Sequence, residues 1–212
     1  MSDQRSAALR AVRRLASAGL VAGTSGNVSG RTANGMWITP TRMGYADMGV
    51  ADLVHVGPGP ARGAAHAPSS EWRLHLAVYA CRPDAGAIVH THSPFATAWS
   101  LIGAPLLDTE DLDYYNLRNV PVVDRLPAGS PALAVATARA LDGADAALLC
   151  GHGVVAVGPD PERAVDLAHV LERQAAVSWL ARLARHPPTT TTEEDGLELA
   201  AALARRFATT PS

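Results

Sequence analysis

The sequence predicts an α/β layered domain. Short apolar runs suited to buried strands alternate with longer stretches whose apolar residues recur at helical spacing. Glycine, proline and hydroxyl residues punctuate the boundaries between them. The chain has 212 residues, 48% apolar and 18% charged, enough for one domain with a real core and short for two. No internal repeat interrupts this pattern.

The elements follow in order. Residues 3–19 carry Leu9, Val12 and Leu15 at helical spacing and predict a helix. In "GLVAGTSGNVSGR", glycines and hydroxyl residues crowd around Gly23 to Gly30, marking a tight loop that leads into a short strand. "GMWITP" is a second strand, stopped by Pro40, and "ARGAAHAPSS" is a surface loop. "SSEWRLHLAVYACRP" reads as a helix capped by Ser69 or Ser70, with Glu71 in its first turn and Pro83 past its end. "AGAIVH" suits a buried strand. "SPFATAWSLI" is a helix with proline near its start. Between Gly103 and Gly129 the chain reads as irregular, with a short strand at "NVPVV". "SPALAVATARALDG" is a helix between serine–proline and glycine. "AALLCGHGVVAVG" gives two strands meeting at "CGHG". Asp160 and Pro161 open a long amphipathic helix, "HPPTTTT" is a linker from about 187, and a last helix runs from Glu193 to Phe207.

The totals exclude several function classes. A net charge of −2 gives no general attraction to nucleic acid or anionic membrane. No stretch approaches the roughly 20 apolar residues of a membrane span. The N-terminal segment is amphipathic rather than secretory. Cys81 and Cys150 lie in or beside apolar segments and read as reduced, buried thiols of a cytoplasmic protein. All 18 basic residues are arginine. Without a lysine amine, imine chemistry is excluded, and so is a lysine-based phosphate loop.

Chemistry concentrates in "IVHTHSPFA". Residues i and i+2 of a strand share a side, so His90 and His92 are either one half of a metal site or two partly exposed histidines. His152, between glycines at the end of another apolar run, adds a third imidazole. Three histidines on two strand ends suit a catalytic zinc site with an open fourth position; Mn²⁺ or Co²⁺ would also suit three imidazoles. Glu71 is a candidate base or an ordinary carboxylate of a helix start. "GTSGN" and the pair Ser69–Ser70 could cradle an anion, or be simply a turn and a cap. His75 lies four residues after Glu71 on one helix face, within reach of a hydrogen bond to it.

Taken in order, "GLVAGTSGNVSGR", "ITPT", "PSSEWRLHLAVYACRPDAGAIVHTHSPFATA" and "LLCGHGVVAVGPDPERAVDLAHVLE" resemble the class II aldolase/adducin family over about residues 5 to 185, most closely its fuculose-1-phosphate aldolases. The resemblance implies a three-layer αβα sandwich around a central, largely antiparallel sheet, one domain over 1–212, and a homotetramer. It implies one zinc per subunit held by His90, His92 and His152, with Glu71 a resting ligand and the acid/base of turnover. It implies a phosphate site from Gly26, Asn27, Thr41, Ser69 and Ser70. The implied reaction is reversible cleavage of a ketose 1-phosphate to dihydroxyacetone phosphate and a small aldehyde. Without lysine, a metal must stabilise the enediolate, and a base must take the C4 hydroxyl proton.

Three departures stand out. Where the family reads "TPTG", this chain has Arg42, which offers a bidentate phosphate contact, recognises a carboxylate, or points to solvent. A family tyrosine falls near Asp111 in this chain, and Tyr114 or Tyr115 close by would supply the phenol, which makes Tyr114 a candidate catalytic residue. "LDYYN" is similar to the "DYF" segment of the family's ribulose-5-phosphate 4-epimerases, which makes Asp113 a candidate acid/base residue. Epimerase is therefore the alternative reaction, beside dehydratase or decarboxylase. A non-catalytic interaction domain of the adducin kind is the alternative of another class.

Overall fold

The computed structural model describes residues 4–58, 65–184 and 201. The linker and last helix expected beyond 187 lie outside the described residues, apart from Ala201. A seven-stranded sheet forms the middle layer. Its strands are β1 (Asn27–Thr32), β2 (Gly35–Ile38), β3 (Val54–Val56), β4 (Ala87–Thr91), β5 (Val122–Val123), β6 (Ala146–Leu149) and β7 (Gly153–Gly158). Their spatial order is β3-β2-β1-β4-β7-β6-β5. Every neighbouring pair is antiparallel except β5 with β6. The implied largely antiparallel sheet is thus the observed one.

Helices cover both faces, and strand alternation sorts the side chains between them. Val28, Val89, Val154 and Ala156 pack with α1 (Gln4–Ser17), α3 (Pro94–Ser100), α4 (Glu110–Tyr114) and α6 (Pro161–Leu183). Ile38, Ile88, Val155 and Val157 pack with α2 (Trp72–Cys81) and α5 (Pro131–Ala140) on the other side. β4 is buried along its whole length, which is why "AIVHT" reads as an apolar run rather than an alternating one.

Arginines close helix ends in place of glycine caps. Arg31 donates to the Tyr79 carbonyl in the last turn of α2 and to the Arg82 and Ala85 carbonyls past its end, and Arg82 donates to Leu141 and Ala144 past the end of α5. A cation at a helix C-terminus is favourable on both hydrogen-bonding and dipole grounds.

Four expectations need correction. The segment read as irregular holds the single-turn helix α4, tied to α6 where Thr109 donates to Gln174 and the Gln174 amide donates to the Leu107 carbonyl. β3, unread in the sequence, is three residues held by pairing with β2. Helix α2 starts at Trp72, so Glu71 sits at its N-cap rather than in its first turn, with the Ser69 hydroxyl accepting from the Glu71 amide at 3.3 Å. Cys81, at the last turn of α2, is exposed rather than buried. No helix among the described residues is long and apolar enough to cross a membrane.

Candidate functional site

The site gathers where β4 and β7 end side by side. In their register His90 faces Val155 and Thr91 faces Val154. A β-carbon on Gly153 would stand 1.8 Å from the Thr91 carbonyl oxygen, so only glycine lets β7 come this close to the end of β4. The tight turn before it places His152 against His90 and His92. Ser100 on α3 fixes that turn, its hydroxyl accepting from the Gly151 amide at 2.9 Å. The three imidazoles lie pairwise 4.7 to 4.9 Å apart between ring centres. One nitrogen from each falls within 4.8 Å of the others.

The donor set fits a divalent cation. His90 is fully buried, and its Nδ1–H donates to the Val154 carbonyl at 2.8 Å, leaving Nε2 as a lone pair. That lone pair faces Nε2 of His92 at 3.0 Å, an arrangement that needs a proton or a cation between two basic nitrogens. Burial first, then the neighbouring imidazoles, holds His90 well below the usual histidine range. Burial and His92 push His152 down to about 4, and burial lowers His92. Three neutral, converging imidazoles are what a metal ligand set requires.

Opposite the histidines lies a cavity of about 260 Å³, lined by Gly26, Asn27, Thr41, Arg42, Ser69, Ser70, Glu71, His92 and His152 among others. The five residues implied for the phosphate site, and Arg42 with them, therefore share one space with Glu71 and two of the histidines. Gly26 has φ +75, and a β-carbon there would meet the His90 carbonyl at 2.7 Å. The loop can lie against β4 only because that position is glycine. Tyr45 ties the loop down from behind, its hydroxyl donating to the Ser25 and Gly26 carbonyls.

Glu71 is 5% exposed. Its Oε1 accepts from the Gly129 amide at 2.8 Å, whereas Oε2 is buried without a hydrogen-bond partner. Burial pushes this carboxyl above the usual range, and the Gly129 amide pulls it partway back. An unpaired buried carboxylate oxygen is costly, and a cation or a substrate hydroxyl is what would satisfy it. Glu71 does not join the tight trio formed by the histidines.

Arg42 has φ +59, a left-handed backbone that an arginine seldom adopts. The family's glycine at this position meets the same need without cost. Arg42 lines the cavity and is exposed. Asp113 and Tyr114 are not brought to this space. Asp113 pairs with Arg118, and Tyr114 is 81% exposed on α4. Tyr115 lies under the guanidinium of Arg163.

His75 does not bond the Glu71 carboxylate. It is completely buried and its Nε2 meets Asn27 Oδ1 at 2.6 Å, while Nδ1 meets the Ser29 hydroxyl at 2.7 Å. Burial pushes its pKa down to about 3, so it is neutral. Sequence reasoning also missed Glu172. From α6, its carboxylate accepts from the Phe95 and Ala96 amides at the start of α3. Neither contact leaves a local signal, because each joins residues far apart in the chain.

Comparison with known proteins places the chain. Residues 6–179 match the class II aldolase and adducin N-terminal domain. The 5-methylthioribulose-1-phosphate/5-deoxyribulose-1-phosphate aldolase of Rhodospirillum rubrum is 35% identical over 175 residues, covering 80% of this chain and 77% of that protein. The L-fuculose phosphate aldolase of Haemophilus influenzae is 36% identical over 166 residues, covering 78% and 76%. A solved L-fuculose 1-phosphate aldolase superposes with a TM-score of 0.83 at 28% identity, over 98% of this chain and 97% of its own. That of Thermus thermophilus gives 0.73 at 33% identity, over 86% and 97%.

Proposed function

The chain belongs to the class II aldolase and adducin family, and within it we propose that the protein is a zinc aldolase of ketose 1-phosphates. As a class II aldolase it is a metal-dependent aldehyde-lyase. The observation that carries the finer reading is the shared cavity. His92 and His152, a buried carboxylate with an unpaired oxygen and two anion-suited loops all face one space, and His90 converges on the same two imidazoles.

His90, His92 and His152 would hold the ion, with Glu71 the fourth candidate ligand. The ion would supply Lewis acidity for the negative charge that develops when the C3–C4 bond breaks. The chain's own groups do the rest. Gly26, Asn27, Thr41, Ser69 and Ser70 seat the 1-phosphate, with backbone amides and hydroxyls as donors. Arg42 adds a guanidinium at the rim, the charge this chain uses where it has no lysine. Glu71 takes the C4 hydroxyl proton and returns it to C3 of the enediolate. Burial raises its pKa, which makes it a stronger base than a solvated carboxylate. The products are dihydroxyacetone phosphate and a small aldehyde.

The two named activities among the relatives differ in the sugar beyond the phosphate. Both are ketose phosphates, and that common part is what this cavity suits. Asp113 and Tyr114 lie off the cavity lining, so a single chain gives them no step. A homotetramer is part of the proposal, and sedimentation at monomer mass would remove it.

The test is a substrate panel scored for dihydroxyacetone phosphate. L-Fuculose 1-phosphate, 5-methylthioribulose 1-phosphate and 5-deoxyribulose 1-phosphate are offered beside ribulose 5-phosphate. Release from at least one 1-phosphate and none from ribulose 5-phosphate is expected. Epimer formation without triose release would overturn the aldolase reading.

A further inference from the structure

Asn27 reaches the cavity from the first position of β1. Its backbone pairs with His90, so its Cα is fixed by the sheet. What the sheet does not fix is which end of the carboxamide faces the cavity. The two ends have nearly the same shape and opposite hydrogen-bonding character: one accepts, the other donates twice. An oxygen turned toward an anion would repel it.

A buried chain of hydrogen bonds makes the choice. The Tyr79 hydroxyl lies 2.9 Å from Ser29 Oγ, which lies 2.7 Å from His75 Nδ1. His75 Nε2 lies 2.6 Å from Asn27 Oδ1. Exposures are 6% for Tyr79, 0% for Ser29 and His75 and 3% for Asn27, so no water compensates a mismatch. A neutral imidazole donates from one nitrogen and accepts at the other. With Nε2 facing a carbonyl oxygen, Nε2 carries the proton and Nδ1 accepts from Ser29. Ser29, having donated, accepts from Tyr79. Every group is then satisfied in one direction. The amide nitrogen of Asn27 is left over, with no hydrogen bond to any described residue, and Asn27 lines the cavity.

We propose that His75 is a positioning residue that locks the Asn27 carboxamide with its amide nitrogen turned into the cavity, as a donor to the substrate phosphate. The proposal rests on the reading of this cavity as an anion site. It assigns a task to a histidine that is neither a metal ligand nor in contact with substrate. Helix α2 thus serves the site twice, through Glu71 at its start and through His75 one turn on.

The test uses inorganic phosphate as the probe, followed by ³¹P line broadening on the purified protein, with four chains compared: wild type, Asn27→Ala, His75→Phe and the double variant. His75→Phe is expected to weaken phosphate binding roughly tenfold, the cost of a lost charge-assisted donor. In the Asn27→Ala background the same change should do nothing, because the group it positions is gone. A loss of equal size in both backgrounds would mean a merely structural role and overturn the proposal. So would wild-type binding by His75→Phe while Asn27→Ala is weakened, with the anion site left standing. Unchanged binding by Asn27→Ala would remove Asn27 as a donor and the positioning role with it, whereas no phosphate binding by wild type would remove the anion site itself. Should His75→Phe not fold, Ser29→Ala keeps the imidazole but frees its tautomer. It should weaken phosphate binding several-fold, and wild-type affinity there would equally overturn the proposal.

Discussion

Replacing Glu172 by alanine should cost this protein a large part of its stability, although the residue lies on α6 and outside the cavity lining. Its carboxylate is 9% exposed and reaches across to α3, accepting from Phe95 N at 3.0 Å and Ala96 N at 2.8 Å. The first turn of any helix has amides with no partner of their own. Ser93, the N-cap residue of α3, does not bond them with its side chain. Glu172 is therefore the cap, supplied by another helix. Each bond to a charged acceptor contributes about 1.5–3 kcal/mol, and truncation strands two donors at a buried helix start. The expected loss is about 3–5 kcal/mol, or a fall in melting temperature of roughly 10 °C for a chain of this size. Glu172→Gln should recover no more than half, since one of its two positions becomes a donor facing a donor. Melting followed by circular dichroism with a chelator present keeps metal binding out of the comparison. Glu162→Ala, which removes a surface partner of Arg14, is the control and should cost less than about 1 kcal/mol. Shifts below about 3 °C for both Glu172 variants would refute the idea that α3 is capped from α6.

Three other outcomes follow from the geometry. Arg42→Gly should leave the melting temperature within about 2 °C, because relief of the left-handed backbone offsets the added freedom of the unfolded chain. The same variant should bind phosphate several-fold more weakly, and unchanged affinity would place the guanidinium in solvent. His75 has its pKa pushed down to about 3 from an ordinary 6.5, so the unfolded chain takes up the proton first as pH falls. The stability it contributes is present above about pH 6.5 and drains away toward pH 3, at about 1.4 kcal/mol per pH unit. Urea titrations from pH 6 to 4 should show a slope shallower by about one proton in His75→Gln, and parallel slopes would contradict its burial as a neutral ring. His152→Ala should drop bound metal from about one equivalent to less than about one-tenth by elemental analysis after zinc loading and desalting. Full retention would exclude His152 as a ligand.

Much of this architecture was legible in the chain. α6 and β4 announce themselves by period and by an unbroken apolar run, and "CGHG" marks the turn of the β6–β7 hairpin. Such signals are local, so local reading finds them. β3 and α4 escaped because each is too short to carry a period, and each depends on partners elsewhere. The positions of Asp113 and Tyr114 escaped for the same reason. Resemblance assigned them chemistry, but α4 turns them to Arg118 and to solvent. His75 shows the limit most clearly. Its spacing from Glu71 is right for a bond along one helix face, yet its partners come from β1, 46 and 48 positions away.

The meeting of β4 and β7 has a consequence for how the protein is assembled in the cell. His90 reaches Val154 across 64 positions of chain, and its neighbour His152 comes from the far side of the same pairing. Side chains alternate along a strand, so a slip of one residue would send His90 through to the opposite face of the sheet. The three nitrogens converge in the native register and in no other. An ion captured there rewards the correct pairing alone, by an amount that grows with its free concentration. Metal supply would then act as a proofreader of strand pairing as well as a requirement of the chemistry, and chains made in a metal-starved cell would be the ones most exposed to misregistered, aggregation-prone sheets.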